Sequence, residues 1–203
     1  AQGAAPAHTF VQSLEEGLKS ADATGVGTRM ATVVALTVLA LALPAAAHAC
    51  EGADARPGAL SLNESRATVL CLINQRRRAA GVRPLREDPR LDRAAQRHSV
   101  SMDRLNYFSH SSPSGSSPVS RMRRAGYMAG ASSWAVAEII RWGAGSLATP
   151  RSAVAGWMRS PPHRSSMLSG RYRHVGIGVV AGSPLGDGSN GGIYTANLGN
   201  RGG

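Results

Sequence analysis

The run His174–Ala181 (HVGIGVVA) constrains this chain more than any other stretch. Glycine alternates with β-branched residues along it, so as a strand it has one face of valine and isoleucine and one face nearly without side chains. A bare face of that kind suits close approach by another backbone, and a helix is the expected neighbour. A second run, Ile193–Leu198 (IYTANL), follows the loop Gly182–Gly192 and is expected to pair with the first. The end of the chain therefore predicts a small sheet with a helix pressed onto it.

Local cap chemistry supplies the helices. Ser61-Leu62-Asn63-Glu64 has capping-box spacing and opens a helix to about Ala80, where Gly81 stops it. Its expected inner face is Val69 or Leu70, Ile73 and Ala80, with Arg76, Arg77 and Arg78 facing water. Asp88-Pro89 opens a second helix to about Leu105, with an apolar stripe of Leu91, Ala95, His98, Met102 and Leu105. On that stripe His98 reads as a packed, hydrogen-bonded core residue. Ser117-Pro118 caps a short third helix through Ala125. Thr149-Pro150 opens a fourth, which Ser160-Pro161-Pro162 closes, and one more turn is expected over His163–Leu168. Helices before and between a few terminal strands indicate an α+β layer arrangement.

At 203 residues the chain has room for one ordinary domain and a tail. Residues 1–49 differ from the rest. Ala31–Leu43 is apolar throughout, preceded by Arg29 and followed by Pro44 and Ala47-His48-Ala49, so 29–49 reads as a secretory signal peptide. The run is short of the about 20 apolar residues that span a bilayer, which weighs against a retained anchor and leaves the mature protein without a transmembrane span. Residues 1–28 read as a disordered upstream extension with no assigned fold, 50–62 as an N-terminal arm, and 63–200 as the domain. In an exported chain the two cysteines, Cys50 and Cys71, are expected to pair and tie the arm to the first helix. Two alternatives stand beside that pairing. One is a lipid-anchored Cys50, for which the residues before it are a poor context. The other is a free thiol at Cys71, which its apolar surroundings make inert.

The net charge is +11, and Lys19 is the sole lysine. Arginine forks suit carboxylate and phosphate, so a polyanionic neighbour is conceivable. The arginines are scattered and not interleaved with aromatics, which argues against nucleic acid.

Three segments carry the candidate chemistry: Asn106–Pro118 with His110, Trp134–Gly143 with Glu138, and Trp157–Leu168 with His163. Two imidazoles and a carboxylate suit zinc with one position open to water, which would acidify that water or grip an anion. Without metal, Glu138 could orient an imidazole as a proton acceptor. The bland reading is that the three groups brace one another. Ser109, Ser111 and Ser112 flank His110, but no Gly-x-Ser-x-Gly elbow exists and serines beside a turn are turn formers. His174, at a strand start, reads as an exposed or packing residue.

Taken in order, Leu72–Gly81, Ala95–Met102, Tyr107–Pro113, Arg124–Tyr127, Ala137–Ile140, Trp157–Arg164 and Val175–Gly178 resemble the bacterial branch of the CAP superfamily, also called SCP-like extracellular proteins. The resemblance covers roughly Ser65 to Gly199. It implies a three-layer α-β-α sandwich around a small, mainly antiparallel sheet. It also implies a cleft in which two His and two Glu can bind a divalent cation. His110 matches the first His and Glu138 the Glu of the Gly-Glu-Asn signature, although Ala137 and Ile139 flank it here. Ser160 stands where the second Glu would be, and Ile193–Ala196 where the strand with the second His would be. His163, after Ser-Pro-Pro, is the expected third member. The implied function is a secreted or cell-envelope module, expected to be a monomer, whose cleft holds an anionic, lipid or glycan ligand. A metal-assisted hydrolase of peptide or phosphodiester bonds is the alternative.

Overall fold

The computed structural model describes residues 50–203. The expected signal segment 29–49 and the upstream stretch 1–28 lie outside the described residues. In chain order the elements are α1 (Leu62–Ala79), β1 (Arg86–Glu87), α2 (Pro89–Arg104), α3 (Pro118–Arg124), β2 (Ser133–Ala144), α4 (Pro150–Arg159), α5 (Pro161–Leu168), β3 (His174–Ala181) and β4 (Gly191–Gly202), with 3-10 turns at Pro57–Ala59 and Gly145–Ala148.

Four of the helices start where their caps predict. The Ser61 hydroxyl accepts from Glu64 N–H while Glu64 accepts from Ser61 N–H, a complete capping box. Asp88, Ser117 and Thr149 each accept a first-turn N–H in front of a proline that needs no partner. The extra turn expected after Ser160 is a full helix, α5.

The sheet runs β1-β3-β4-β2; β1 lies parallel to β3, and the other two pairings are antiparallel. Strand β2 was not among the strands expected from sequence. Its residues Ala135–Ala137 and Ile139–Ile140 are apolar on both faces, which hides the alternation of a half-buried strand. Val175, Ile177 and Val179 of β3 face one layer, made of α1, α4 and α5 around the fully buried Trp157. Burying such a side chain contributes about 1.5–3 kcal/mol. The opposite face carries Gly176 and Gly178, and α2 lies directly on them. A Cβ at Gly176 would collide with the backbone of Leu91 and Asp92, and one at Gly178 with that of Ala95. The helices thus form layers on both faces of the sheet.

Side chains from α2 and α1 also close the edge of β3 that the two-residue β1 leaves open. Asp92 accepts from Ile177 N–H at 2.7 Å, Gln96 bonds both the N–H and C=O of Val179, and Arg66 donates to Ile177 C=O. Cys50 and Cys71 are disulfide-bonded, so neither the lipidated nor the free-thiol reading holds in this structure. Cys50 and Ala53 sit in the main core, so the arm packs with the domain.

Three expected faces differ. Ala80 and Leu105 are exposed because each is the C-cap of its helix and lies past the packed stripe. Arg77, expected in water, is completely buried. It donates to the carbonyls of Arg83, Met167, Ser169 and Tyr172, which form a socket that sequence spacing does not reveal.

Candidate functional site

Glu138 lies in the middle of β2, opposite Asn197 of β4, on the sheet face toward α2. Its side chain is 1% exposed, so its charge must be compensated by the protein. Arg121 of α3 does this: one terminal nitrogen lies 3.0 Å from Oε1 and 2.9 Å from Oε2. Asn197, with its amide nitrogen turned toward the carboxylate, donates to Oε2 at 3.0 Å. The His110 Nδ1 lies 2.9 Å from Oε1. A carboxylate accepts, so Nδ1 carries the proton and Nε2 is the free, proton-accepting nitrogen.

His110 sits in the loop between α2 and α3, which is folded on itself before it is held by anything else. Ser112 and Ser116 exchange backbone and side-chain bonds, and Gly115 takes the left-handed conformation at φ 78° that the turn needs. Arg121 then ties both ends of the turn to the site, donating to Ser116 C=O at 2.6 Å and His110 C=O at 2.8 Å. The result is an imidazole held at one nitrogen, with 47% of its side chain open to solvent.

His98 of α2 is fully buried, as expected of a core residue. It also reaches the site: Nε2 is 3.6 Å from Glu138 Oε1, too long for a hydrogen bond but close enough for charge to be felt. Burial lowers its pKa to about 4 against the pull of Glu138, with Arg121 adding to the depression, so it is neutral at pH 7. Its Nδ1 lies 3.4 Å from the Tyr107 hydroxyl.

His163 comes from α5, on the other side of the sheet. Because β2 is an edge strand, the His110 loop and α5 can approach each other around its free edge. His163 has its pKa lowered by burial first, then by the nearby His110 and Arg141. Its position relative to the other two is therefore one of electrostatic reach. Among the described residues it makes no hydrogen bond or ion pair with Glu138. His174 is a packing residue, bonded through Nδ1 to the Tyr127 hydroxyl.

The three expected metal ligands, His110, Glu138 and His163, are thus not assembled as a set. Among the described residues no group of three or more His, Cys, Asp or Glu side chains is arranged to hold a metal ion. The physical reason is Arg121. A guanidinium already sits on both oxygens of Glu138, where a divalent cation would meet a like charge and no vacant lone pair. The residues present do not fit a metal. A serine nucleophile is not assembled either: among the described residues no serine hydroxyl bonds to His110, and Ser109 and Ser112 are engaged in turn bonds.

Sequence reasoning missed Arg121 and Asn197. For Arg121 no signal separates it from its neighbours Arg123 and Arg124, which stay in water. For Asn197 one existed. Thr195 and Asn197 put two polar residues on one face of an otherwise apolar strand, and both are fully buried, facing α2.

A family model described as the cysteine-rich secretory protein family, CAP, matches residues 70–197. The chain is 31% identical over 137 residues to "Uncharacterized protein YkwD" of Bacillus subtilis (strain 168), a match covering 68% of this chain and 50% of that protein. It therefore spans about half the length of this curated relative. Among solved structures it resembles an extracellular protein containing a SCP domain from Bacillus anthracis str. Ames, at TM-score 0.55 and 26% identity, over 68% of this chain and 40% of that one. It also resembles an outer surface protein from Borrelia burgdorferi, at TM-score 0.54 over 66% of this chain and 90% of that one; at 18% identity this likeness concerns the fold alone. Helices on both faces of a small, mainly antiparallel sheet, with a family match across most of the described residues, make one assignment: the chain belongs to the cysteine-rich secretory protein (CAP) family.

Proposed function

We propose that this protein is an exported CAP-domain module whose cleft binds an anionic ligand of the cell envelope or its surroundings. Export is supported by the disulfide, which persists in oxidising compartments, and by the likeness to an extracellular SCP-domain protein. Among the described residues no helix is long and apolar enough to cross a membrane.

The observation that carries the binding reading is the compensated carboxylate. Arg121 and Glu138 neutralise each other inside the protein. What remains around them is the Arg141 guanidinium with the imidazoles of His163 and the surface His110 close by, and among the described residues none of these three is paired with a carboxylate other than the already compensated Glu138. A cleft so lined favours a negative ligand.

The test is calorimetry and co-sedimentation of the purified protein with phosphatidylglycerol vesicles, phosphatidylcholine vesicles and polygalacturonate. Saturable binding to an anionic probe, weakened about tenfold in His110→Ala and unaffected by chelators, is expected; a loss of this size is what about 1.4 kcal/mol produces. Equal binding by wild type and variant would sink the reading.

A second reading, hydrolysis, draws on one observation: Glu138 holds Nδ1 of His110 and leaves Nε2 exposed, which is the geometry of a general base for water. Turnover of peptide or phosphodiester substrates that disappears in His110→Ala would favour it.

A further inference from the structure

Beside the Glu138 cluster, and sharing His98 and Arg121 with it, lies a hollow of about 370 Å³ between α2, α3 and the serine-rich turn. Its walls bring together Arg97 and the neutral His98 of α2 with Arg121 and Arg124 of α3, and among the described residues no acidic side chain lines it. Arg121 is spent on Glu138, but Arg97 and Arg124 are exposed and, among the described residues, have no carboxylate partner. Two exposed forks facing one concavity without a counter-charge are unusual, because like charges repel unless something negative comes between them.

The hydroxyls of the same hollow are turned into donors by their own partners. Ser101 accepts from the Tyr107 hydroxyl at 2.9 Å, which leaves its own proton to be given to another acceptor. Ser112 accepts from Ser116 N–H at 3.0 Å and shares its remaining hydrogen bond with Ser114 at 3.0 Å, so the pair has one proton to give outward. Arg124 holds Ser116 by its hydroxyl, which fixes the rim. Finally, the Arg121 Nε in the wall is buried with no partner, and Arg121 as a whole is 8% exposed. Two guanidinium forks, two or three hydroxyl donors and no fixed acceptor charge describe a site for an acceptor-only group with several oxygens.

We infer that this hollow is a phosphoryl-binding subsite, in which Arg97 and Arg124 clamp a phosphate group and Ser101 and Ser114 donate to its remaining oxygens. A carboxylate offers two oxygens and leaves donors unused, whereas a phosphate monoester offers three and carries the larger charge. The volume exceeds a bare phosphate and leaves room for the small polyol that carries it. This deepens the proposed function by naming the chemical class of the anion, and rests on that reading only for the sign of the ligand's charge; the residues that would hold the phosphate, Arg97, Ser101, Ser114 and Arg124, are not His110 or Glu138.

The experiment is a titration of the purified protein with inorganic phosphate, glycerol 1-phosphate and acetate, followed by calorimetry and by backbone amide shifts. Phosphatidic acid vesicles form a separate arm. Saturable binding of the two soluble phosphates, with shifts centred on residues 97, 101, 112–116 and 124, is expected. Binding should weaken at least tenfold in the double variant Arg97→Gln, Arg124→Gln and several-fold in Ser101→Ala. Both arginines are on the surface, so the double variant should retain the wild-type melting transition; Ser101→Ala serves as the second readout if it does not. His110→Ala should change phosphate affinity less than twofold. Vesicle binding with the same arginine dependence would assign the phosphoryl group to a lipid headgroup, and soluble binding alone to a free phosphate ester. Acetate binding as tightly as phosphate, or a double variant that binds like wild type, would overturn the inference. Loss of phosphate binding with intact His110-dependent binding of polygalacturonate would remove this subsite and leave the proposed function standing.

Discussion

Among the described residues two guanidinium groups are taken out of water, and they are treated differently. Arg77 of α1 is completely buried and bonds only to backbone carbonyls, those of Arg83, Met167, Ser169 and Tyr172. Burial pushes its pKa down, and nearby Arg173 adds to that. Arg121 of α3 is nearly as buried but spends one nitrogen on a carboxylate, and its Nε has no partner. Carbonyls do not titrate, and no ligand can draw them away, so Arg77 stitches the end of α1 to the segment between α5 and β3 and does nothing else. Glu138 is a charge that three other side chains also address, so Arg121 connects a loop to chemistry. A buried arginine bonded to backbone is a strut; one bonded to a shared carboxylate is part of a site.

The sharpest way to break that contrast is Arg77→Met. It fills most of the volume and strands four carbonyls, each worth about 1–3 kcal/mol when left unpaired, so with partial wetting a loss of about 4 kcal/mol in urea unfolding is expected. Ligand binding by the fraction that remains folded should be unchanged. A loss below about 1 kcal/mol would mean the socket is not a strut.

The next effect is a pH dependence on the site side. His98 is lowered to about 4 by burial, so the unfolded chain takes up a proton first as pH falls from 6.5. Its contribution is therefore full above pH 6.5 and lost on the way down to about 4, on the order of 3 kcal/mol. Asp92 has the opposite sign. Burial raises it to about 7, with Ile177 N–H pulling the other way, so its stabilising contribution is present at low pH and lost as pH rises through about 7. In the wild type the two slopes oppose each other between pH 4 and 6.5, and stability should vary little. Asp92→Asn keeps an oxygen for Ile177 N–H and removes one of the titrations. Its unfolding midpoint should then fall steadily from pH 6.5 to 4.5, and a flat profile in that variant would rule out a neutral buried His98.

Glu138→Gln tests the site's own ion pair. The amide can still accept from Arg121, but it no longer offsets the charge, and its NH₂ faces donors on one side. About 2 kcal/mol of stability should be lost, less than breaking a buried pair outright, with faster amide exchange confined to residues 110–116. Exchange that speeds up equally across β2 and β4 would mean Glu138 holds the sheet and not the loop.

How much of this the sequence discloses depends on the range of the interaction. Ser61 with Glu64, Asp88, Ser117 and Thr149 speak to groups within three residues, so four helix starts could be read directly. Gly176 and Gly178 announced a helix contact, though not which helix would make it, because an absent side chain is itself a pattern. Arg76, Arg77 and Arg78 look alike in sequence; what separates them is a set of carbonyls, three of them 90 or more residues away. The same blindness hid Arg121, and strand β2 escaped because it is apolar on both faces. The meeting of His110 with Glu138 was legible only through family likeness. His163 was expected as the third member of the site, but the structure gives it only electrostatic reach to His110, since sequence can nominate a side chain for a region without fixing which atoms touch.

The smallest expected effect is also the one that best separates strut from site. His110→Ala removes a side chain that is half in water and makes one hydrogen bond, to a carboxylate that keeps Arg121 and Asn197. The folded protein loses one bond and the unfolded chain loses nothing, so the change in stability should stay within about 0.5 kcal/mol, the range of ordinary surface substitutions. Affinity for the anionic probe should nevertheless fall about tenfold, because the deleted imidazole is the part of the cluster that reaches solvent. Arg77→Met should show the reverse pattern, a large stability loss with intact affinity per folded molecule. If His110→Ala instead destabilised the fold by as much as Glu138→Gln, the imidazole would be bracing its loop. The exposed edge of the cluster would then be structure of the same kind as the Arg77 socket.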